Sequence, residues 1–286
     1  MLTAGMGEFT YEVAEGWGKL PEGWEFSRVA GVVVDSRDRV YVFNRSAHPM
    51  MVFDRDGKFL KSWGEGMFAT PHGICIGSDD CIYLADSGNH TVRKFTTDGD
   101  LLMTLGTEGV EGADGSPFRR PTDVALSPSG EIYVSDGYGN SRVHKYSPDG
   151  KLLMSWGESG DGDGQFNLPH GIFVSRYNLV YVADRENHRI QVFTPEGRFV
   201  SWWTGFRQPC TLFIDREDNV YVPELQHRIS ILNLNGELLA RWGEKESRDP
   251  GQFVAPHTAC VDSRGDLYVG EVLEGQRIQK FVRRVK

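Results

Sequence analysis

The chain has 286 residues, with 39% apolar, 12% aromatic and 25% charged side chains and a formal net charge of -9. That balance excludes disordered and fibrous classes and supplies enough apolar surface for a sizeable core, so a single domain over residues 1–286 is expected. No stretch approaches the roughly 20 apolar residues of a spanning helix. The opening Met1-Leu2-Thr3-Ala4-Gly5-Met6 has no basic segment followed by an apolar one, which leads us to expect a cytoplasmic protein. Net acidity disfavours nucleic acid and anionic membranes as partners. Cys75, Cys81, Cys210 and Cys260 contain no Cys-x-x-Cys pair and read as buried free thiols.

In chain order, a short strand is expected at Tyr11 to Ala14, followed by one unit written six times. Each unit contains a segment of the same pattern: Val40 to Asn44, Ile82 to Asp86, Ile132 to Asp136, Val180 to Asp184, Val220 to Glu224 and Leu267 to Glu271, 40 to 50 residues apart. The second copy shows the full set. Strands are expected at Gly73 to Ile76, Ile82 to Asp86, Thr91 to Phe95 and Leu101 to Leu105, joined by polar turns such as Asp98-Gly99. Period-2 alternation with Gly-containing turns makes an antiparallel meander. Six such units at this period predict an all-β six-bladed β-propeller without helices. The last copy ends after its third strand, Arg277 to Val285, so Tyr11 to Ala14 is expected to supply the fourth and close the ring.

Pro169-His170-Gly171, the loop Gly162-Asp163-Gly164-Gln165-Phe166 and Asp184-Arg185-Glu186-Asn187-His188-Arg189-Ile190 resemble the NHL repeat, and the resemblance covers all six copies. It implies a propeller, but leaves function open, since such propellers serve as RNA readers, scaffolds and enzymes.

Aligning the copies on their first strands gives the column Ala30, His72, Thr122, His170, Cys210, His257, just ahead of each strand. Histidine falls in the second, fourth and sixth copies. Alternate blades of a six-bladed ring differ by about a third of a turn, which predicts three imidazoles converging as a metal site with an open position, suited to zinc. The opposing reading is that Pro-His is turn grammar of the repeat; the other three copies carry alanine, threonine and cysteine, which argues against it. His90 and His188 lie in Asn-His turns, and His48, His144 and His227 stand alone; all five read as structural or solvated. Asp161 and Asp163 sit in a glycine-rich loop without a calcium-loop pattern.

Strand direction places the ends of the second strands at the same mouth as the histidines. Just beyond them lie Arg45, Gly137-Tyr138 and Arg185. A tyrosine beside a dication and a guanidinium suits a general base, and arginine there favours a carboxylate-bearing small-molecule or peptide substrate. The blander readings are an aromatic lid for Tyr138 and an ion pair with Glu186 for Arg185. The acidic column Asp86, Asp136, Asp184, Glu224, Glu271 is expected to cap turns.

Ser135-Asp136-Gly137-Tyr138-Gly139-Asn140-Ser141-Arg142 and Val182 to Gln191 resemble segments of the peptidyl-alpha-hydroxyglycine alpha-amidating lyases (peptidylamidoglycolate lyases). The resemblance implies a zinc on His72, His170 and His257, a catalytic Tyr138, and active-site arginines at Arg45 and Arg185. It implies cleavage of an N-acyl-alpha-hydroxyglycine into an amide and glyoxylate. Three departures stand out. Gly139 replaces a disulfide-forming cysteine, Ala255 replaces a methionine, and Thr258 replaces a calcium-ligating aspartate, so structural calcium is not expected. Two rival classes are a metal-dependent propeller hydrolase or lactonase, and a binding scaffold with Phe118-Arg119-Arg120 and Trp202-Trp203 as its rim.

Overall fold

A computed structural model describes residues 2–113 and 117–284 of the chain. Each copy folds into an antiparallel sheet, and the whole is an all-β six-bladed propeller, as the repeat predicts. Blade 1 consists of Val29–Val34, Val40–Asn44, Met50–Phe53 and Phe59–Trp63; blade 2 of Pro71–Ile76, Ile82–Asp86, Thr91–Phe95 and Leu101–Gly106. Blade 3 runs from Asp123–Leu126 to Leu152–Trp156, blade 4 from Pro169–Val174 to Phe199–Trp203, and blade 5 from Phe213–Ile214 to Leu238–Trp242. Among the described residues the helical content is one 3-10 turn, Arg185–Asn187, and no helix is long and apolar enough to cross a membrane.

Two compact units emerge from the packing: residues up to Glu65 with those from Leu212 onward, and Gly66–Thr211. The first holds blades 1, 5 and 6. Blade 6 is Pro256–Val261, Leu267–Glu271 and Arg277–Arg283, completed by Phe9–Ala14 from the N-terminus, with Tyr11 opposite Arg283 and Ala14 opposite Lys280. The expected closing strand is therefore present and two residues longer. A fifth strand, Thr3–Met6, pairs outside it; its four residues include a glycine and show no burial alternation, so nothing in the sequence marks it. Val285, the expected end of the last strand, lies outside the described residues.

The second strands are buried along their whole length in all six blades. Strands covered on both faces read as continuous apolar runs, which is the origin of the recurring Val-Tyr-Val pattern. Each such strand ends in a buried polar residue, and in blades 2, 3, 4 and 6 it reaches back to the loop entering its own blade. Asp86 accepts the N–H groups of Ala69 and Thr70, both at 2.8 Å, and Glu271 that of Val254 at 2.6 Å. Asp136 accepts from Arg119 N at 2.9 Å and Asp184 from Asn167 N at 2.7 Å. Turn-holding is thus the work of the acidic column.

In blade 4 the arrangement extends to a cation. Arg189 Nε donates to Asp184 at 2.8 Å while its other nitrogens donate to the carbonyls of Asp161, Gly162 and Gln165. A guanidinium occupies the carbonyl cluster of that glycine-rich loop, and the Asp161 and Asp163 side chains are exposed, so the loop is a polar turn.

The added strand of blade 6 is fastened by Tyr11, which is fully buried, packs its ring 5.8 Å from that of Trp242, and takes a hydrogen bond from Arg283 Nη1 at 3.2 Å. Replacing Tyr11 by alanine is expected to cost about 3–5 kcal/mol, the range for emptying a large aromatic site. Urea unfolding would show this as a lower midpoint at unchanged slope. Met6→Ala, in the exposed outermost strand, should stay within about 0.5 kcal/mol of the parent.

Candidate metal centre

The column that carries the histidines lies within the first strands of blades 2, 4 and 6, as the second residue, and not ahead of them as the sequence suggests. A β-bulge explains the position. In blade 4 Pro169 faces Asp184 and Gly171 faces Ala183, leaving His170 as the extra residue; in blade 6 His257 is left out between Pro256 and Thr258 in the same way. Blade 2 shows the corresponding shift between Pro71 and Ile74. An extra residue outside the ladder is free to turn its side chain away from the sheet, as bulges beside functional sites commonly do.

All three rings are buried and held alike. His72 Nδ1 lies 2.6 Å from Thr122 O, His170 Nδ1 2.9 Å from Cys210 O, and His257 Nδ1 2.8 Å from Ala30 O. A carbonyl can only accept, so each Nδ1 carries the proton and each Nε2 presents a lone pair. Thr122, Cys210 and Ala30 are the column residues of the blades that lack histidine.

Within the unit Gly66–Thr211, the Tyr138 hydroxyl stands 3.0 Å from His72 Nε2 and 3.2 Å from His170 Nε2. Two glycines seat it. A Cβ on Gly137 would meet Pro169 O at 2.0 Å, and one on Gly139 would meet Arg119 O at 2.4 Å, so the Gly-Tyr-Gly segment lies directly on its neighbours. A cysteine could not stand at 139 without moving that backbone. Arg185 lies with its guanidinium carbon 5.8 Å from the Tyr138 ring centre and its Nε 2.8 Å from Glu186 Oε1. The expected ion pair of Arg185 with Glu186 is present, and the same guanidinium stands beside Tyr138. Burial opposes its charge, but the facing Cys210 and Tyr138 and the Glu186 carboxylate raise its pKa above the ordinary guanidinium value. Burial likewise opposes the charge of Glu186, yet Gln208, which donates at 2.9 Å, and then Arg185 hold its carboxyl below the usual range.

Arg45 follows the buried Asn44 of blade 1 as Arg185 follows Asp184; it is half-buried and its N–H bonds Arg28 O. Sequence reasoning missed a second arginine at the phenol, Arg120, whose guanidinium carbon is 5.3 Å from the Tyr138 ring centre. The expected rim is also corrected: Phe118 is 1% exposed and belongs to the core between blades 2 and 3, and Trp203 is buried as well. The remaining histidines have structural partners. His90 Nδ1 accepts Arg120 N and His188 Nδ1 accepts Gln208 N, both at 3.1 Å; His144 lies buried between Asp136 and Ser155.

Within the unit Gly66–Thr211 one ligand nitrogen of His72 comes within 4.8 Å of one of His170, and in the other unit His257 presents its Nε2 in the same fixed tautomer. The donor chemistry fits a borderline divalent ion: three neutral imidazoles with fixed tautomers, each ring steadied through its other nitrogen. A phenol has one proton to offer, and at Tyr138 two such nitrogens face it. The cluster can therefore hold a metal.

The NHL repeat matches at residues 68–95, 118–146 and 166–193. Human NHL repeat-containing protein 3 is 31% identical over 297 residues, covering 95% of this chain and 84% of that protein. The chain belongs to the NHL-repeat family. It is also similar to the Drosophila melanogaster peptidyl-alpha-hydroxyglycine alpha-amidating lyase 1, at 32% identity over 261 residues, 80% of this chain and 47% of that one. Against the Mus musculus peptidyl-glycine alpha-amidating monooxygenase it is 36% identical over 200 residues, 58% of this chain but 20% of that protein. The chain thus spans from a fifth to about half the length of these amidating relatives. A solved streptogramin B lyase shares the fold, with a TM-score of 0.65 at 14% identity over 92% of this chain and 86% of that one.

Alanine in place of His72, His170 or His257 is expected to abolish stoichiometric metal uptake, measured by elemental analysis after dialysis against a trace of zinc. His188→Asn, at an exposed turn, should leave uptake unchanged.

Proposed function

We propose that the chain is a zinc-dependent lyase that splits the C–N bond of an N-acyl-alpha-hydroxyglycine to give an amide and glyoxylate. The observation that carries this reading is the Tyr138 hydroxyl, set 3.0 and 3.2 Å from two tautomer-fixed imidazole nitrogens. Similarity to proteins named as alpha-amidating lyases supports the same reaction class. The rival hydrolase of the lactonase type would want an oxygen-lined ion site, whereas the donors here are nitrogens.

A dication held by His72, His170 and His257 would supply Lewis acidity and positive charge toward a substrate hydroxyl oxygen. Tyr138, acting as the phenolate after giving its own proton to solvent, takes the proton of the substrate's alpha-hydroxyl. As that oxygen's electron pair forms the aldehyde C=O, the C–N bond breaks and its pair goes to nitrogen. The nitrogen is protonated by Tyr138, which returns to its starting state. Carbon is already at the aldehyde oxidation level, so no electrons are exchanged. Arg185 stays cationic, is oriented by Glu186, and with Arg45 pairs with the substrate carboxylate, fixing the reacting carbon against the phenol.

Glyoxylate release from N-benzoyl-alpha-hydroxyglycine by zinc-loaded protein tests the assignment. Tyr138→Phe should lower kcat by about 10²- to 10⁴-fold, the contribution of a positioned acid-base group, with zinc content unchanged. Full turnover by that variant would remove the assigned role, and a zinc-loaded parent that releases no glyoxylate would end the lyase reading.

A further inference from the structure

Two guanidinium groups flank the phenol of Tyr138, and they are not equivalent. Arg185 is largely buried and its charge is matched: Nε lies 2.8 Å from Glu186 Oε1, and Glu186 is itself held by Gln208 Nε2 at 2.9 Å. Arg120 is exposed, and among the described residues no carboxylate forms an ion pair with its guanidinium. Of the acidic residues on the same loop, Glu108 pairs with Arg93 at 3.1 Å and Glu111 with Arg119 at 2.8 Å, and Asp114 lies outside the described residues.

The backbone of Arg120 is nonetheless fixed. Its N–H donates to His90 Nδ1 at 3.1 Å, it adopts a left-handed φ of 64°, and Thr122, two residues on, holds His72 through its carbonyl. The side chain therefore extends from an anchored point to within 5.3 Å of the Tyr138 ring centre. A planar fork of N–H donors, exposed beside the reacting phenol and without an ion-pair partner among the described residues, matches a carboxylate.

We propose that Arg120 is a specificity-determining residue of this site, whose guanidinium pairs with the carboxylate of the ligand. Arg185, still cationic but ion-paired with Glu186, orients that same carboxylate, and Arg120 supplies the further net attraction. The identity of the ligand as an alpha-hydroxylated acylglycine rests on the lyase reading; the preference for a carboxylate next to the reacting carbon does not.

The test uses the zinc-loaded full chain, its Arg120→Gln and Arg120→Lys variants, and two inert probes: N-acetylglycine, which carries the carboxylate, and N-acetylglycinamide, which does not. By calorimetric titration, Arg120→Gln should bind N-acetylglycine about tenfold more weakly and Arg120→Lys less so, with the neutral probe unaffected. Raising the salt should weaken N-acetylglycine binding to the parent and do so less in Arg120→Gln, because an exposed charge is screened. In turnover the same change should appear in KM, with kcat within about twofold. Equal binding of N-acetylglycine by Arg120→Gln and parent would overturn the proposal, as would a parent that does not bind it. Arg120-dependent binding without glyoxylate release would sink the lyase reading alone. Glyoxylate release with KM and probe binding indifferent to Arg120 would sink this inference alone.

Discussion

One hydrogen bond, made three times, governs the centre: a histidine Nδ1–H donating to the backbone carbonyl at the same column position of the next blade in chain order, at 2.6, 2.9 and 2.8 Å. The bond fixes the tautomer, removes one ring nitrogen from competition and points the other lone pair away from the sheet. It also accounts for the alternation in the column. Blades 2, 4 and 6 supply rings; blades 3, 5 and 1 supply carbonyls. A carbonyl belongs to every residue, so Thr122, Cys210 and Ala30 can differ freely as side chains while doing the same work.

The buried acidic residues at the ends of the second strands make that geometry rigid. Each lies at zero exposure and accepts backbone N–H groups from the loop entering its blade or donors from its own third strand. Ionised oxygens make the stronger class of hydrogen bond, and a carboxylate removed from water without such partners would be costly. Asp136 shows how far one residue reaches: it takes Arg119 N, Asn140 Nδ2 at 2.7 Å and His144 Nε2 at 3.3 Å. The loop carrying Arg120 and the turn carrying Tyr138 thereby share one anchor.

The architecture was largely legible because its signal is repeated. Six Tyr-centred strands and an alternate-copy histidine column survive any single misreading, and burial on both faces forces the apolar pattern that makes the strands visible. What could not be read depends on backbone geometry. The bulges that place His170 and His257 outside their ladders have no residue signature, and neither do the accepting carbonyls. Arg120 was hidden for a different reason: it sits on the loop entering blade 3, apart in sequence from the turn that carries its phenol, and its αL backbone is held by His90 of blade 2, thirty residues away in sequence. Phe118 failed in the opposite direction, since an aromatic beside two arginines suggests a rim, whereas its ring packs on Tyr146 in the core.

The chain is acidic overall, with a formal charge of -9, yet the groups gathered at Tyr138 are neutral or cationic. The two facts have one origin. The acidic residues nearest the mouth already have their oxygens engaged by N–H groups and arginines, as at Asp184 with Arg189 and Glu186 with Arg185, and do not serve as metal donors. The donors that remain are uncharged imidazoles. A dication held on such neutral ligands would keep both of its positive charges, whereas each carboxylate ligand would cancel one, so this donor set would leave an ion the stronger acid toward an oxygen. Holding the carboxylates in structural roles thus leaves the imidazole nitrogens as the donors at Tyr138.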